Sequence, residues 1–415
     1  MEVPTDRPSL RPSLQPPLSP SLSLCMIVRN EAERLAACLD SVVDLVDKIV
    51  ILDTGSTDST CEIAHQYGAQ VEHFVWCDDF SAARNAALKF VTSDWVLVLD
   101  ADEQLTPEIK PEILTAIQDH SRLVINLFRQ EVGATQSPYS LVSRLFQQHP
   151  NINFQRPYHA MIDDSVELLL QTESHWKVVT LDPIAILHYG YQPELINSRD
   201  KFTKARKIME GFLHQNPNDP YVCSKLGALY CDLGLHSEGK LLLERGLESR
   251  TIDAATRYEL HYHLASVHAQ ANQIKAADEQ FQLAIEQAIP DKLKLGAIVN
   301  WGALRQMNDD LETAAWIYGE AILIDSSCAI AHYNLGMTQK AMGNFEAAIR
   351  SYNCAILINP ENPEPHQNLG VALMKLGRIP ESLDSFKMAI GLYKIMDSPE
   401  GDRLVRSLAE LGFEL

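Results

Sequence analysis

The stretch WVLVLDADEQ, Trp95 to Gln104, runs five apolar residues into Asp100, Asp102 and Glu103. Carboxylates packed that closely repel one another and raise one another's pKa unless a positive group sits among them. The whole chain carries 55 acidic against 35 basic residues, a formal net charge of -20. An anionic ligand at this spot would need a metal ion or a few placed arginines to offset the field. The same excess of acid argues against a nucleic-acid backbone as the principal partner, because such proteins present basic patches. Residues two apart face the same way only where the chain stays extended. Asp100 and Asp102 therefore converge if Ala101 carries the strand into a loop. Glu103 has no part in this arrangement and is expected only to begin a turn toward Pro107.

The elements around these acids are legible as an alternation. LSLCMIV, KIVILD, VEHFVW and WVLVLD read as strands, separated by helical segments in EAERLAACLDSVVDLV, TGSTDSTCEIAHQYGA and DFSAARNAALKFVT. Strands that are apolar throughout and alternate with helices indicate a parallel sheet covered on both faces. Ligands of such sheets bind outside the carboxyl ends of the strands, where Asp53 and Asp100 stand. A helix is expected from Pro107 to about Asp119. From Arg122 to Tyr191, RLVINLFRQ, YSLVSRLFQ, INFQ and WKVVTLDPIAILHYGY read as short strands, an antiparallel or mixed extension of the sheet on a plausible acceptor side.

After Asn197 the pattern becomes helical and repetitive. Gly302, Gly336 and Gly370 are 34 residues apart, and Ala321, Ala355 and Ala389 keep the same interval. In AHYNLGMTQKAMGNFEAAIRSYNCAILINP, Leu335, Gly336, Ala348, Tyr352, Ala355 and Pro360 fall at tetratricopeptide positions. Looser copies centre on Leu226-Gly227 and Leu264-Ala265. Such arrays bind proteins or peptides on a concave face. His261, His263 and His268 lie in one helix of the array and read as packing or surface residues. The eight cysteines are scattered, without a Cys-x-x-Cys pair, and read as free thiols of a reducing compartment. No apolar run approaches the ~20 residues of a membrane span. Residues 1–20, rich in Pro, Ser and Leu, lack the features of a signal peptide and read as a disordered tail.

No Gly-x-Gly-x-x-Gly follows the first strand and no Gly-x-x-x-x-Gly-Lys-Ser/Thr occurs, which excludes the usual dinucleotide and P-loop sites. LDADEQ has the Asp-x-Asp of haloacid-dehalogenase-type phosphatases. Three strand-helix units precede it here, whereas that family carries the motif on its first strand. What remains is an ordered set: SLCMIVRNEAERLAACLDSV, IVILDTGSTDST, FSAARNAAL and WVLVLDADE within about 85 residues. Together they resemble the family 2 glycosyltransferases, which have a GT-A fold. RLFQQHPNINFQRPYHAMI and LHYGY, leading into tetratricopeptide repeats, resemble a bacterial subgroup that joins a short family 2 domain to such repeats. The resemblance implies an α/β GT-A domain, Rossmann-like and typical of nucleotide-diphospho-sugar transferases, over 21–194. An all-α tetratricopeptide-repeat solenoid follows over 195–415.

The resemblance also assigns roles. Asp53 matches the acid that reads the nucleotide base, and a carboxylate suits the imide N–H of uracil. The alternative for such an acid is a cap on the next helix, which Asp58 fits better. Asn30 and Glu31 match the loop lining base and ribose. Arg84 matches an arginine near base and phosphates, where a bidentate donor suits a diphosphate. Asp100 and Asp102 match the metal-binding motif, with Asp100 near the ribose or metal waters and Asp102 on Mn²⁺ or Mg²⁺ directly. His188 resembles a C-terminal histidine supplying a further metal or phosphate contact.

The catalytic base departs from the pattern. The subgroup follows the histidine of the YHAMI position with Glu, but here Ala160 follows His159, and alanine accepts no proton. Asp163, ahead of Asp164, is the expected substitute, with His159 as the other candidate. The function implied is a metal-dependent, inverting glycosyltransferase in the cytoplasm. It would use a nucleoside-diphosphate-sugar, UDP-linked, and a protein, peptide or glycan acceptor, with the repeats binding that acceptor or a protein partner. The competing reading is a non-catalytic repeat scaffold carrying a degenerate transferase domain.

Overall fold

A computed structural model of the chain describes residues 20–134, 138–190 and 199–413. The tail expected over 1–20, but for Pro20, and the boundary expected at 194/195 lie outside the described residues. The chain divides into two compact units between Leu229 and Tyr230.

The first unit is built on an eight-stranded sheet. Strands β1 (Leu22–Val28), β2 (Lys48–Asp53), β3 (Gln70–His73) and β4 (Trp95–Val98) are parallel, in the order β3-β2-β1-β4. The apolar runs of β1, β2 and β4 follow from burial on both faces, whereas β3, at the sheet edge, reads QVEH and has no buried residue. Leu22, Leu24, Met26, Ile49 and Ile51 pack on one side with α1 (Leu35–Val42), while Cys25, Val50, Leu52 and Val96 pack on the other with α3 (Phe80–Leu88). Between β2 and β3 runs α2 (Thr60–Gln66).

The extension of the sheet is mixed, as expected. β5 (Glu103–Leu105), β6 (Arg122–Glu131), β7 (Tyr139–Gln147) and β8 (Lys177–His188) continue the order as β4-β7-β6-β8-β5. β7 runs antiparallel to β4 and β6, and β8 runs parallel to β6 and antiparallel to β5. Three local readings change. The helix expected over 107–119 is a 3-10 turn, Pro107–Ile109, followed by α4 (Lys110–Ala116), each with a proline in its first turn, where no N–H partner is lost. INFQ contributes no strand, only the bridge of Gln155 with Met161. An unforeseen helix, α5 (Asp163–Thr172), begins on two acids that its N-terminal dipole favours and buries Val166 and Leu169.

The second unit is helical. Six of its helices are Leu295–Met307, Leu311–Ile324, Ala329–Ala341, Phe345–Ile358, Pro363–Lys375 and Ile379–Ile395. The repeated glycines explain the pairing. A Cβ on Gly302 would stand 2.6 Å from the Tyr318 ring, one on Gly336 2.6 Å from Tyr352, and one on Gly370 2.7 Å from Phe386. Each glycine thus accepts an aromatic ring sixteen residues later, from the second helix of its own pair. The 34-residue interval therefore carries a packing rule as well as a composition. His261, on the helix Ala254–Gln270, packs against Gln280, and His268 of the same helix bonds Gln273.

Gly336→Ala supplies the test of this packing. Alanine in an open helix would stabilise by about 1 kcal/mol. Here the added methyl meets a fully buried ring, and overpacking of that kind costs about 1–3 kcal/mol. Chemical denaturation of the variant should show a net loss; a gain would mean the ring has room to move.

Candidate active site

The carboxyl ends of β1 and β4, the start of α3, the ends of β6 and β8 and Arg144 within β7 surround a cleft of about 400 Å³. Its lining includes Glu31, Arg84, Asp100, Asp102, His159 and His188 from the residues singled out in the sequence. It also includes Arg129, Arg144, Trp76, Phe80, Tyr158 and Ala160.

Asp100, just beyond β4, answers the question its neighbours raise. Arg84 donates to its Oδ1 at 2.7 Å and Arg144 to its Oδ2 at 3.0 Å. Arg84 is buried on α3, whose first turn is capped by Asp79 accepting from the Ala82 N–H, and its guanidinium lies over the Phe154 ring. Arg144 comes from β7, one residue before Leu145, which pairs with Leu97 of β4. Burial acts to raise the Asp100 pKa, but Arg144 and Arg84 outweigh it and hold the carboxyl well below the usual range. Both oxygens of Asp100, expected among the metal ligands, are thus taken by guanidinium groups.

Glu103 does not begin a turn. It opens β5, is fully buried, accepts the Asp100 N–H at 2.8 Å and pairs with Arg129 at 2.8 Å. A buried carboxylate without such partners would cost several kcal/mol; here its neighbours on β6 and β7 supply them. The register places Glu103 directly across from His188 on β8, and Glu131 of β6 on the other side of the same histidine.

Asp102 meets His188. The Tyr189 N–H donates to the Asp102 carbonyl at 2.9 Å, and the imidazole Nε2 stands 3.4 Å from the Asp102 carboxylate. Nδ1 of the same ring bonds Glu131, whose other oxygen is held by Arg129 at 2.8 Å. Burial acts to lower the His188 pKa, but the bonds to Asp102 and Glu131 push it up to about 9. Gly190 is required beside this pair, since a Cβ there would lie 2.6 Å from the imidazole. Among the described residues no three or more His, Cys, Asp or Glu side chains are grouped to hold a metal ion. Asp102 nevertheless offers one oxygen donor and His188, once Nε2 gives up its proton to an incoming cation, one nitrogen donor on adjoining backbone. That fits an ion whose remaining ligands are phosphate oxygens and water, the usual way Mg²⁺ is shared between protein and substrate.

The loops at the ends of β1 and β2 are tied together. Asn30, with φ of 56°, accepts the Thr57 N–H at 2.7 Å, and its own N–H donates to Ser56 at 2.9 Å. Asp58 accepts from the Thr60 N–H at 3.1 Å and the Ala32 N–H at 3.2 Å, so it braces α2 and the first loop together. Asp53 is buried and accepts from the Gly55 and Ser56 amides at 3.0–3.2 Å, with His73 at 3.4 Å. Burial acts to raise its pKa, but the Ser56 and Gly55 bonds hold it below the usual range. Its neighbour Thr54 lines the cleft. Glu31 does so as well, and burial first, then the Asp102 charge, pushes its carboxyl up to about 7.

The opposite wall is aromatic. Trp76 packs edge-on to Phe80 at 4.8 Å, Phe80 to Tyr158 at 5.7 Å, and Tyr158 to His159 at 4.5 Å. His159, with φ of 53°, and Ala160 line the cleft. The two acids expected to replace the missing glutamate do not. Asp164 is bound by Arg156, which also pairs with Asp219, and Asp163 accepts from the Ser143 hydroxyl at 2.8 Å. Both sit in the first turn of α5, where their acidity serves the helix.

Sequence reasoning missed Arg129, Arg144 and Glu131. One signal was available: a charge inside an apolar strand run, as in LFRQE and VSRLF, requires a buried partner. The partner's identity depends on the register of β6 against β8, which the sequence does not spell out.

A parallel core with a mixed extension and acids at the strand ends, followed in the chain by a helical repeat array, defines a GT-A-type transferase domain joined to tetratricopeptide repeats. Residues 23–179 match the model of glycosyl transferase family 2, and residues 329–362 that of the tetratricopeptide repeat. The chain thus joins a glycosyl transferase family 2 domain to tetratricopeptide repeats and belongs to the family of a TPR repeat-containing protein. It is 44% identical over 278 residues to a TPR repeat-containing protein of Synechococcus elongatus, spanning 67% of this chain and 69% of that one. It is 27% identical over 206 residues to the glycosyltransferase SunS of Bacillus phage SPbeta, covering 47% of this chain and 46% of SunS. An uncharacterized glycosyltransferase of Rickettsia felis is 27% identical over 197 residues, 45% of this chain and 69% of that protein. Among the described residues no helix is long and apolar enough to cross a membrane.

Proposed function

We propose that the domain transfers a sugar, with inversion, from a UDP-linked donor to a hydroxyl of a protein or glycan. The observation that carries this reading is the convergence in one cleft of the Asp102–His188 pair with the Arg84 and Arg144 guanidiniums. Relatives that bear the name glycosyltransferase support it. Asp102 and His188 would hold Mn²⁺ or Mg²⁺, which would neutralise charge on the departing diphosphate. Asp53, Asn30 and Glu31 would form the base and ribose side. Asp100 serves by fixing Arg84 and Arg144 toward the phosphates rather than by ligating metal. The acceptor oxygen attacks the anomeric carbon as the bond to phosphate breaks, and the electron pair leaves on the diphosphate.

His159 is the proposed base, because it alone among the three candidates lines the cleft. Its imidazole would take the acceptor proton, a role worth about 10²–10⁴ in rate. His159→Ala should therefore lower kcat by that order while leaving the affinity for UDP with Mn²⁺ unchanged. The test of the whole reading is donor binding and hydrolysis across UDP- and GDP-sugars with Mn²⁺. If no donor binds with metal present, the transferase reading falls and the repeat-scaffold reading takes its place. The repeats would present the acceptor or bind a protein partner.

A further inference from the structure

We propose that Glu131 is a positioning residue of the donor site, acting through His188. The inference rests on the reading of Asp102 and His188 as a metal-holding pair.

Three observations carry it. First, the sheet itself delivers Glu131 to the histidine: residues 131 and 188 are register partners on adjacent strands, so their side chains leave the same face side by side. Second, Glu131 is buried and its two oxygens are divided between two jobs. Oε2 meets His188 Nδ1, while Oε1 accepts from Arg129 at 2.8–2.9 Å and from the Ser140 hydroxyl at 3.1 Å. The carboxylate is held on one side and free to orient a ring on the other. Third, the imidazole is confined on a further side by Gly190, where no side chain could fit. With Nδ1–H donated to Glu131, the ring presents Nε2 toward Asp102 and carries its lone pair there when neutral. A histidine that ligates a metal commonly gives its other N–H to a carboxylate, and losing that partner costs 10–100-fold in metal affinity.

A purely structural role is the competing account, since Glu131 also belongs to the buried chain Glu103–Arg129–Glu131. The two accounts separate in a double-mutant cycle on the full chain. The measurement is Mn²⁺ affinity in the presence of UDP, by calorimetry, for the wild type, Glu131→Gln, His188→Ala and the double variant, with thermal unfolding recorded for each. Glu131→Asp is the second variant. It keeps a negative charge for Arg129 but is one methylene short of the imidazole.

The expected result is a 10–100-fold loss of Mn²⁺ affinity in Glu131→Gln and Glu131→Asp, and no further loss when Glu131→Gln is added to His188→Ala. UDP binding in the presence of a chelator should be equal in wild type and Glu131→Asp. Wild-type Mn²⁺ affinity in both Glu131 variants would overturn the proposal. So would an equal loss with and without His188, which would assign the residue to the framework. A wild type that binds UDP but not Mn²⁺ would remove the metal reading and this inference with it, a pattern distinct from either.

Discussion

Asp100→Ala will unfold more readily than the parent protein, by about 3 kcal/mol in a urea titration. Removing one member of a buried ion pair costs about 3–5 kcal/mol because the other charge stays buried and unpaired. Asp100 serves two such charges, Arg84 at 8% and Arg144 at 14% side-chain exposure. The lower end of the range applies for two reasons. The Asp100 side chain is itself 34% exposed, and Arg144 retains Glu103 at 3.6 Å. A change under about 1 kcal/mol would mean the arginines find water or other acids, and the account of Asp100 as their anchor would fail.

Asp102→Ala should behave in the opposite way. Its carboxylate faces the cleft and its main partner is a histidine, so its loss leaves no arginine stranded. The fold should persist, with an unfolding midpoint close to that of the parent. Metal-dependent binding of a UDP-sugar should instead be abolished, a drop on the order of 10²-fold or more, since a metal at a diphosphate supplies several kcal/mol. Calorimetry with UDP and Mn²⁺, repeated with a chelator, reads this directly. Binding equal to that of the parent would sink the assignment of Asp102. The two aspartates of one short motif are thus expected to divide between stability and ligand binding.

That division was not legible in the sequence, although the motif was. The parallel strands, the helices between them and the repeat interval all follow from local apolar periodicity, and these were readable from KIVILD or from Gly336 and Gly370. The placement of Asp53, Asp100 and Asp102 at strand ends followed from the same patterns. What the sequence could not convey was the pairing of distant strands. Glu103 looked idle because its partner Arg129 is 26 residues away and reaches it only through the alignment of β5, β8 and β6. Asp163 and Asp164 looked available as bases because their helix was not foreseen. Once α5 forms, Arg156 and Ser143 claim them. Local pattern therefore recovered the elements, and long-range pairing decided which charges meet.

The glycine-to-ring contacts of the second unit have a consequence for how such a chain can vary. Each contact closes within one helical pair, Gly302 with Tyr318, Gly336 with Tyr352, Gly370 with Phe386. A pair therefore brings its own lock and needs from its neighbours only a surface to stack on. Duplication or excision of a whole 34-residue unit would leave every such lock intact, whereas an insertion within either helix of a pair, between glycine and ring, would turn the two out of register. The array is in that sense modular in length, and a lineage could lengthen or shorten it without altering any residue of the transferase cleft.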